Sequence, residues 1–232
     1  CRSLYVERLF LFLTQRRMTM PNWCDNRITM HGPKKIIRKF DKIVNDPEGK
    51  QGILDLMYPM PKELRDTTSP TPEGSKQPVI DGYDNWYDWA VHNWGTKWDL
   101  NEFFGIHLHD PEDSDEATLE FSAQSAWAPP LGALDHFITE NPEVQISCTY
   151  YEPGCDFMGI WDNGDDQCWT ISDTAPKSDD PWWTTPEGIR IDGAHGIVET
   201  MAHYEDEQET EAEQKVRELV VEKKAVNIGE DA

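Results

Sequence analysis

The stretch Pro129–Asp162, PPLGALDHFITENPEVQISCTYYEPGCDFMGIWD, holds a helix, a strand and a hairpin in immediate succession. A double proline opens it, and Leu131, Leu134 and Phe137 then recur at the spacing of one helical face. Apolar and polar side chains alternate from residue 144 to residue 151, which is typical of a half-buried strand. This order predicts an α+β fold in which helices pack on a mainly antiparallel sheet.

The rest of the chain fits the same architecture. Further strands are indicated by short runs at Cys24–His31, Ile106–His109, Thr118–Ser122 and Phe157–Asp162. Pro33 precedes Lys34–Val44, where apolar residues return at helical spacing and five basic side chains occupy the opposite face. We therefore predict a sandwich of two amphipathic helices on one face of the sheet. Weaker signals at Cys168–Ile171 and Ile189–Ile191 suggest additional edge strands.

An aromatic insertion separates the first helix from the second strand. Residues 81–98 contain six tyrosine and tryptophan side chains, and part of this set fits one helical face. Gly95 is placed to end that helix in the left-handed conformation. The insertion is thus predicted to be helical and to contribute to the core.

The charge is strongly acidic and unevenly distributed. The chain has 232 residues and a formal net charge of -23, with 44 acidic and 21 basic side chains. Between residues 98 and 189 the only base is Lys177. Binding to nucleic acid or to an anionic membrane depends on clustered lysine and arginine, so these partners are disfavoured, although residues 20–97 are neutral and nucleic acid is not excluded. Solvation of an acidic surface, a basic partner and imitation of nucleic-acid phosphate remain open readings.

Four segments are expected along the chain. Residues 1–19 form an upstream extension if Met18 or Met20 is the true start, with a docking helix as the alternative. Residues 20–165 form the main domain, residues 166–204 an irregular extension with possible edge strands, and residues 205–232 an acidic helical or frayed tail. No apolar run is long enough to span a bilayer.

Five short motifs together resemble one family. They are Met20-Pro21-Asn22-Trp23-Cys24-Asp25-Asn26, Pro59-Met60-Pro61-Lys62-Glu63-Leu64, Asn93-Trp94-Gly95-Thr96-Lys97-Trp98-Asp99, Ala126-Trp127-Ala128-Pro129-Pro130 and Tyr151-Glu152-Pro153-Gly154. In combination they look like the YubB ferredoxin-like family of phage and plasmid proteins, over about residues 20–162. The resemblance implies a ferredoxin-like fold without an iron-sulfur cluster and a setting in the bacterial host cytoplasm. It transfers no catalytic residues.

Two of these motifs supply the candidate binding site. We expect the turn after the aromatic helix and the proline-rich segment to lie side by side and to line an aromatic groove for a ligand or peptide. The candidate residues are Trp94, Gly95, Thr96, Lys97, Trp98, Trp127, Pro129 and Pro130. A lysine beside indole faces can hold an anion or act as a nucleophile, while structural packing of a tight turn is the competing interpretation.

Other chemistry is weakly indicated. His107 and His109 share a strand face near Asp110, but no further ligand is spaced to complete a metal site. No phosphate-binding glycine loop, nucleophile elbow or Cys/His pair is present. We therefore expect no cofactor, no metal and no catalytic residue.

The leading hypothesis is a non-enzymatic binding module that engages a host macromolecule, most simply a host protein, through its acidic surface or aromatic groove. A small enzyme acting on a nucleotide or nucleic acid is the first alternative. A binder of single-stranded nucleic acid that uses aromatics on the sheet is the second. The oligomeric state is left open.

Overall fold

The computed structural model describes residues 22–46, 49, 51–211 and 215. The expectation for residues 1–19 lies outside this range, as does most of the predicted tail helix. The chain divides into two compact units with the boundary between Asp173 and Thr174. Each unit is described by itself below.

The first unit contains a six-stranded antiparallel sheet. Its strands are β1 Trp23–Pro33, β2 Asn101–His109, β3 Glu116–Ala126, β4 Gln145–Glu152, β5 Phe157–Asp162 and β6 Asp165–Thr170. Their order across the sheet is β2-β3-β1-β4-β5-β6, and every neighbouring pair is antiparallel. The predicted α+β class with an antiparallel sheet is therefore confirmed.

The helices of the first unit are α1 Lys34–Val44, α2 Ile53–Met57, α3 Lys62–Arg65, α4 Trp86–Asn93 and α5 Leu131–Glu140, and the short helix α6, Ile171–Thr174, ends one residue past the unit boundary. Every second side chain of β1 is buried, as expected for a strand with one face on a core. Ile28 and Met30 from that face share one core with Phe40 of α1 and Phe137 of α5, whose rings meet edge to face at 5.2 Å. Helices α1 and α5 thus contribute to the same hydrophobic layer.

Helix α1 carries less free positive charge than its sequence indicates. Lys34 and Arg38 both contact the carboxylate of Asp110, at 2.9 Å and 2.7 Å. Hydrogen bonds from these two bases lower the pKa of Asp110 below its ordinary value. Two basic side chains of α1, Lys34 and Arg38, therefore hold the loop after β2 in place.

The β4–β5 hairpin is confirmed, and β6 extends it as an edge strand. Tyr150 lies across Gly159 and donates its hydroxyl to Asp166 at 2.6 Å. A Cβ on Gly159 would lie 2.2 Å from the Tyr150 ring, so only glycine fits beneath it.

The aromatic insertion is helical over a shorter range than predicted. Helix α4 begins after Asn85, whose side chain accepts from Asp88 N, and it ends at Asn93. Gly95 follows with a φ of 88°, which confirms it as the left-handed residue that stops the helix. The most buried aromatic side chains here are Trp89 and Trp94.

Beyond Asp173 the described chain has an irregular stretch and a 3-10 helix, Pro181–Thr184, before its α-helical part begins. Helix α7, Pro186–His195, is capped by Thr185 and is followed by Gly196 with a φ of 64°. Residues 189–191, predicted as an edge strand, lie within α7, because the proline and the capping threonine at its start favour a helix over a strand. Residues 197–211 are also helical and largely exposed. None of the described helices combines the length and the hydrophobicity that crossing a bilayer requires.

Candidate functional site

The tryptophan turn, residues 94–98, and the proline segment, residues 126–130, lie against each other as expected. The buried hydroxyl of Thr96 donates to Ala126 O at 2.9 Å. Ala133 N, in the first turn of α5, donates to Trp94 O at 3.3 Å. The two segments are therefore neighbours in the structure.

Glycines permit this close approach. A Cβ on Gly132 would lie 2.4 Å from Asn93 O, and one on Gly95 would lie 3.1 Å from Pro129 O. Real Cβ atoms essentially never come within 3.0 Å of another heavy atom, so the end of α4 and the start of α5 touch backbone to backbone only because position 132 has no side chain.

A buried polar network fixes the other side of the proline segment. Asn26 donates its side-chain amide to Cys24 O, Ala123 O and Ser125 Oγ, at 2.8, 3.2 and 2.8 Å. The Ser125 hydroxyl in turn donates to Ala128 O at 2.8 Å. These bonds satisfy polar groups that would be costly to bury alone, and they set the path of the chain into α5.

The other three motifs also lie beside the tryptophan turn and the proline segment. Trp127 N donates to Asn22 O at 2.9 Å, and Trp94 Nε1 donates to Tyr58 O, just before the Pro-Met-Pro motif, at 2.8 Å. Asn22 Nδ2 also contacts Cys155 Sγ, next to the Tyr-Glu-Pro-Gly motif, at 3.6 Å. Five motifs that are far apart in sequence thus form one structural junction at the end of the sheet.

Because of this junction, the groove does not lie between the two segments, where the sequence analysis placed it. Pro129 and Pro130 are buried in the packing behind the turn. With Trp127, they are absent from the lining of the adjoining cleft, which includes Trp94, Lys97 and Trp98. The two segments approach too closely to leave a ligand groove between them, so the candidate site lies on the opposite side of the tryptophan turn.

We call this cavity the lysine cleft. Its volume is about 630 Å³, within the range usual for ligand sites. It is lined by Ile43, Asp46, Gly49, Gln51, Gly52, Asp55, Met60, Arg65, Trp86, Trp94, Lys97, Trp98, Asp99, Leu100, Asn101 and Phe103. Its walls come from the aromatic insertion, the start of β2 and the residues around α2.

Lys97 is the chemically distinctive residue of the cleft. Its ammonium lies 4.0 Å from the centre of the Trp98 ring and 5.8 Å from that of Tyr87. Within the described ranges it has no acidic partner. Partial burial lowers the pKa of Lys97, because desolvation disfavours the charged form. Trp98 keeps 38% of its surface exposed and lies beside Trp23, with the ring centres 6.2 Å apart.

The neighbouring Asp99 has a structural role. Its carboxylate accepts from Leu54 N, Asp55 N and Leu100 N at 2.8–3.0 Å. Burial raises its pKa, against the opposing effect of these three donors. A Cβ on Gly52 would overlap the carboxylate at 1.9 Å, so Gly52 and Asp99 together fix the first residues of α2.

The other ionic groups are mostly satisfied. Asp55 pairs with Arg65 at 2.7 Å and also accepts from Met60 N. By contrast, Asn101 Oδ1 is a buried acceptor with no hydrogen-bond partner in the described part of the chain. Lys97 is therefore a cation on the cleft wall with no acidic partner in the described ranges, whereas Asn101 Oδ1 is an unpartnered acceptor below the solvent-accessible surface.

The other candidates do not assemble into a site. Asp110, considered beside His107 and His109, is held by Lys34 and Arg38 instead. Among the described residues, no three His, Cys, Asp or Glu side chains are grouped closely enough to hold a metal ion. Cys24 is fully buried, and desolvation raises its pKa well above the ordinary value, which makes it an inert thiol.

The acidic segment is also less uniform than its composition indicates. Asp99 is half-buried and Glu152 is buried, and both carboxylates accept backbone N–H groups, Glu152 from Gly154 and Cys155. Asp110 is paired with α1, and Glu120 is paired with Arg27 at 2.6 Å. Part of the negative charge is therefore engaged in hydrogen bonds and ion pairs within the fold.

Sequence reasoning missed Trp86, Asn101 and Phe103 as cleft residues. The aromatic density of residues 81–98 was a signal for Trp86. The sequence contains no comparable signal for Asn101 and Phe103, because their position in the cleft depends on where β2 begins. Comparison of the chain with protein-family models, with curated proteins and with solved structures gave no match.

Proposed function

We propose that the protein is a non-enzymatic binding module that engages another protein through the lysine cleft. The observation that carries this proposal is Lys97, a partly desolvated cation above Trp98 with no acidic partner among the described residues. Desolvating a lysine without pairing it costs free energy, which an incoming anionic group recovers. Trp86 and Trp98 add rigid apolar area of the kind that dominates binding energy at interfaces.

We further propose that the first unit is a ferredoxin-like domain of the YubB type. The order β2-β3-β1-β4 supports this, with α1 between β1 and β2 and α5 between β3 and β4. Each helix then joins two strands that are separated in the sheet by a third, which is the split β-α-β arrangement. On this proposal the protein is a phage or plasmid accessory protein that acts in the bacterial host cytoplasm.

A protein partner fits the electrostatics better than nucleic acid does. The net charge of -23 repels polyanions, and three aspartates, Asp46, Asp55 and Asp99, line the cleft. A host protein that offers one local negative charge and apolar side chains avoids this repulsion. Imitation of nucleic-acid phosphate is less favoured, because several of the acids are buried or paired.

Site-specific photo-crosslinking in an expressing bacterium tests the proposal. A photoreactive residue replaces Gln51, an exposed residue that lines the cleft, and in the control it replaces Val79, which is 67% exposed and absent from the lining. We expect a discrete crosslinked protein from position 51 only, and its loss when Trp98→Ala is added. The same products from both positions, or a product that survives Trp98→Ala in a folded variant, would refute the proposal.

A small nucleotide-directed enzyme is the second candidate, favoured specifically by the position of Lys97 in a cleft of about 630 Å³ and by the lowered pKa of this lysine. On this alternative Lys97 serves as an anion contact or nucleophile. Turnover of a nucleotide panel that is abolished by Lys97→Met supports it, and absence of turnover at high protein concentration counts against it. Binding of single-stranded nucleic acid on the sheet stays a prediction, to be tested with a salt-dependent shift assay.

A further inference from the structure

We propose that the lysine cleft binds an aspartate or glutamate side chain of the partner protein that has an aromatic or aliphatic residue next to it in sequence. This inference rests on the proposed function and specifies the chemistry of the partner. It starts from the contact between Lys97 and Trp98, which places a positive charge and an exposed apolar surface side by side on the cleft wall.

The positive charge of Lys97 is available to an incoming group. Its ammonium has three N–H donors, and the contact with the Trp98 ring at 4.0 Å uses only part of this capacity. In the part of the chain that the structure describes, Lys97 has no acidic partner. By contrast, Arg65 on the same wall is paired with Asp55 at 2.7 Å. An anionic acceptor is therefore expected at Lys97.

The lining favours an anion with a single charge. Asp46, Asp55 and Asp99 also line the cleft. Their negative field opposes a phosphate dianion about twice as strongly as a carboxylate, because the Coulomb energy scales with the product of the charges. A carboxylate is therefore the better match to Lys97.

Several polar groups of the wall are already engaged within the protein. They are the carboxylates of Asp55 and Asp99 and the indole N–H of Trp94. A partner backbone drawn into the cleft would bury its own N–H and C=O groups against this wall, which is costly without hydrogen bonds. A carboxylate on a side-chain stem reaches Lys97 while the partner's backbone stays hydrated, so an aspartate or glutamate side chain is favoured.

The apolar part of the wall explains the second residue of the partner. Trp98 keeps 38% of its surface exposed, and Trp86 and Phe103 line the same cleft. Indole and phenyl faces favour aromatic or aliphatic contacts. Consecutive residues of a chain are 3.8 Å apart at Cα, so a residue next to the acid reaches the surface beside Lys97.

The test uses the full chain and hexapeptides that are acetylated and amidated, so that the peptide ends carry no charge. The peptide Gly-Ser-Glu-Phe-Ser-Gly is compared with the same peptide carrying Gln in place of Glu. Neither contains Trp or Tyr, so binding is followed by the fluorescence of the protein's tryptophans and by calorimetry. We expect the Glu peptide to bind about tenfold more tightly, the usual effect of a hydrogen bond to a charged group.

A rearranged peptide of the same composition, Glu-Gly-Ser-Ser-Gly-Phe, tests whether the charge and the ring must be neighbours. It should bind more weakly than the first peptide. A peptide with phosphoserine in place of Glu, and the free acid phenylacetate, represent the other occupants and should also bind more weakly.

Two charge-matched variants locate the effect. Lys97→Met retains an apolar stem and removes the charge, and Lys39→Met removes the same charge from an exposed site on α1 that is outside the cleft lining. Lys97→Met should abolish the preference for Glu over Gln, whereas Lys39→Met should leave it intact. Lys97→Arg should retain most of the preference, because it keeps the charge. Trp98→Ala should weaken the Glu and Gln peptides alike.

The outcomes separate this inference from the proposed function. Equal affinity for the Glu and Gln peptides, an unchanged preference in Lys97→Met, or equal binding of the rearranged peptide overturns the inference. Tighter binding of the phosphoserine peptide or of phenylacetate overturns it as well. If the Glu and Gln peptides bind equally and Trp98→Ala removes both, the cleft remains a protein-binding site with a different specificity. If no peptide binds while position 51 still yields a crosslinked partner, the inference fails and the proposed function stands.

Discussion

Replacing Gly132 by alanine tests whether the junction at the tryptophan turn is as tight as the structure indicates. The added Cβ would lie 2.4 Å from Asn93 O and 3.2 Å from Trp94 C. Since contacts below 3.0 Å do not occur, the end of α4 must move by at least about 0.6 Å relative to α5. Both neighbours are backbone atoms, so no side chain can rotate away to relieve the contact.

The expected magnitude follows from two opposing effects. Overpacking of a tight contact costs about 1–3 kcal/mol, and exchanging glycine for alanine within a helix returns up to about 1 kcal/mol. We expect a net loss of about 1–2 kcal/mol in the free energy of unfolding. Urea unfolding followed by tryptophan fluorescence measures it, and the midpoint of thermal unfolding should fall by about 2–4 °C per kcal/mol.

Gly193→Ala is the matched control. Gly193 also lies within a helix, α7, and a Cβ there would meet nothing within 4 Å. This substitution should therefore be neutral or stabilising by up to about 1 kcal/mol. A Gly132→Ala variant that is as stable as the parent, or more stable, would refute the close backbone contact and with it the placement of the tryptophan turn.

Three further predictions concern groups that position the sheet and its helices. Gly159→Ala should destabilise the protein by about 1–3 kcal/mol in urea unfolding, because the new Cβ overlaps the Tyr150 ring at 2.2 Å, and an unchanged stability would contradict this packing. Asn26→Ala should cost about 2–3 kcal/mol in the same assay, since it removes the buried amide that donates to Cys24 O, Ala123 O and Ser125 Oγ, and a loss below about 0.5 kcal/mol would show that the network is not formed. Asp110→Asn should lower stability at neutral pH and converge with the parent in acid. The pKa of Asp110 is lowered in the folded protein, so its contribution is present above the ordinary carboxylate pKa and disappears as pH falls through the lowered value. An equal difference at every pH would argue against the pairing with α1.

The fold was largely predictable because its signals are local. Periodicity located β1, α1, α5 and the β4–β5 hairpin, and Gly95 was recognised as a helix stop from its type and position. The error at residues 189–191 has the same origin. A three-residue run of alternating polarity cannot distinguish a strand from a helix, whereas the preceding capping signal, Thr185 directly before Pro186, favours the helix.

Only part of the candidate site could be predicted from the sequence. The sequence drew attention to the tryptophan turn and the proline segment, and the contacts of Thr96 and Gly132 show that the two segments meet. Which side of the turn is open depends on backbone separations of a few tenths of an ångström, and sequence patterns carry no such information. The lone acceptor of Asn101 likewise follows from the exact start of β2 and its irregular pairing with β3.

The central claim is that Lys97, held over Trp98, is the contact point for a partner. Reductive ¹³C-methylation of the lysines gives each one an NMR signal, and Lys97→Arg assigns the signal of residue 97. We predict a Lys97 signal displaced upfield by the indole ring current at 4.0 Å, which shifts on addition of the partner captured from position 51 while the Lys39 signal does not. A Lys97 signal at the ordinary lysine position, or one that does not change when the partner binds, would contradict the account.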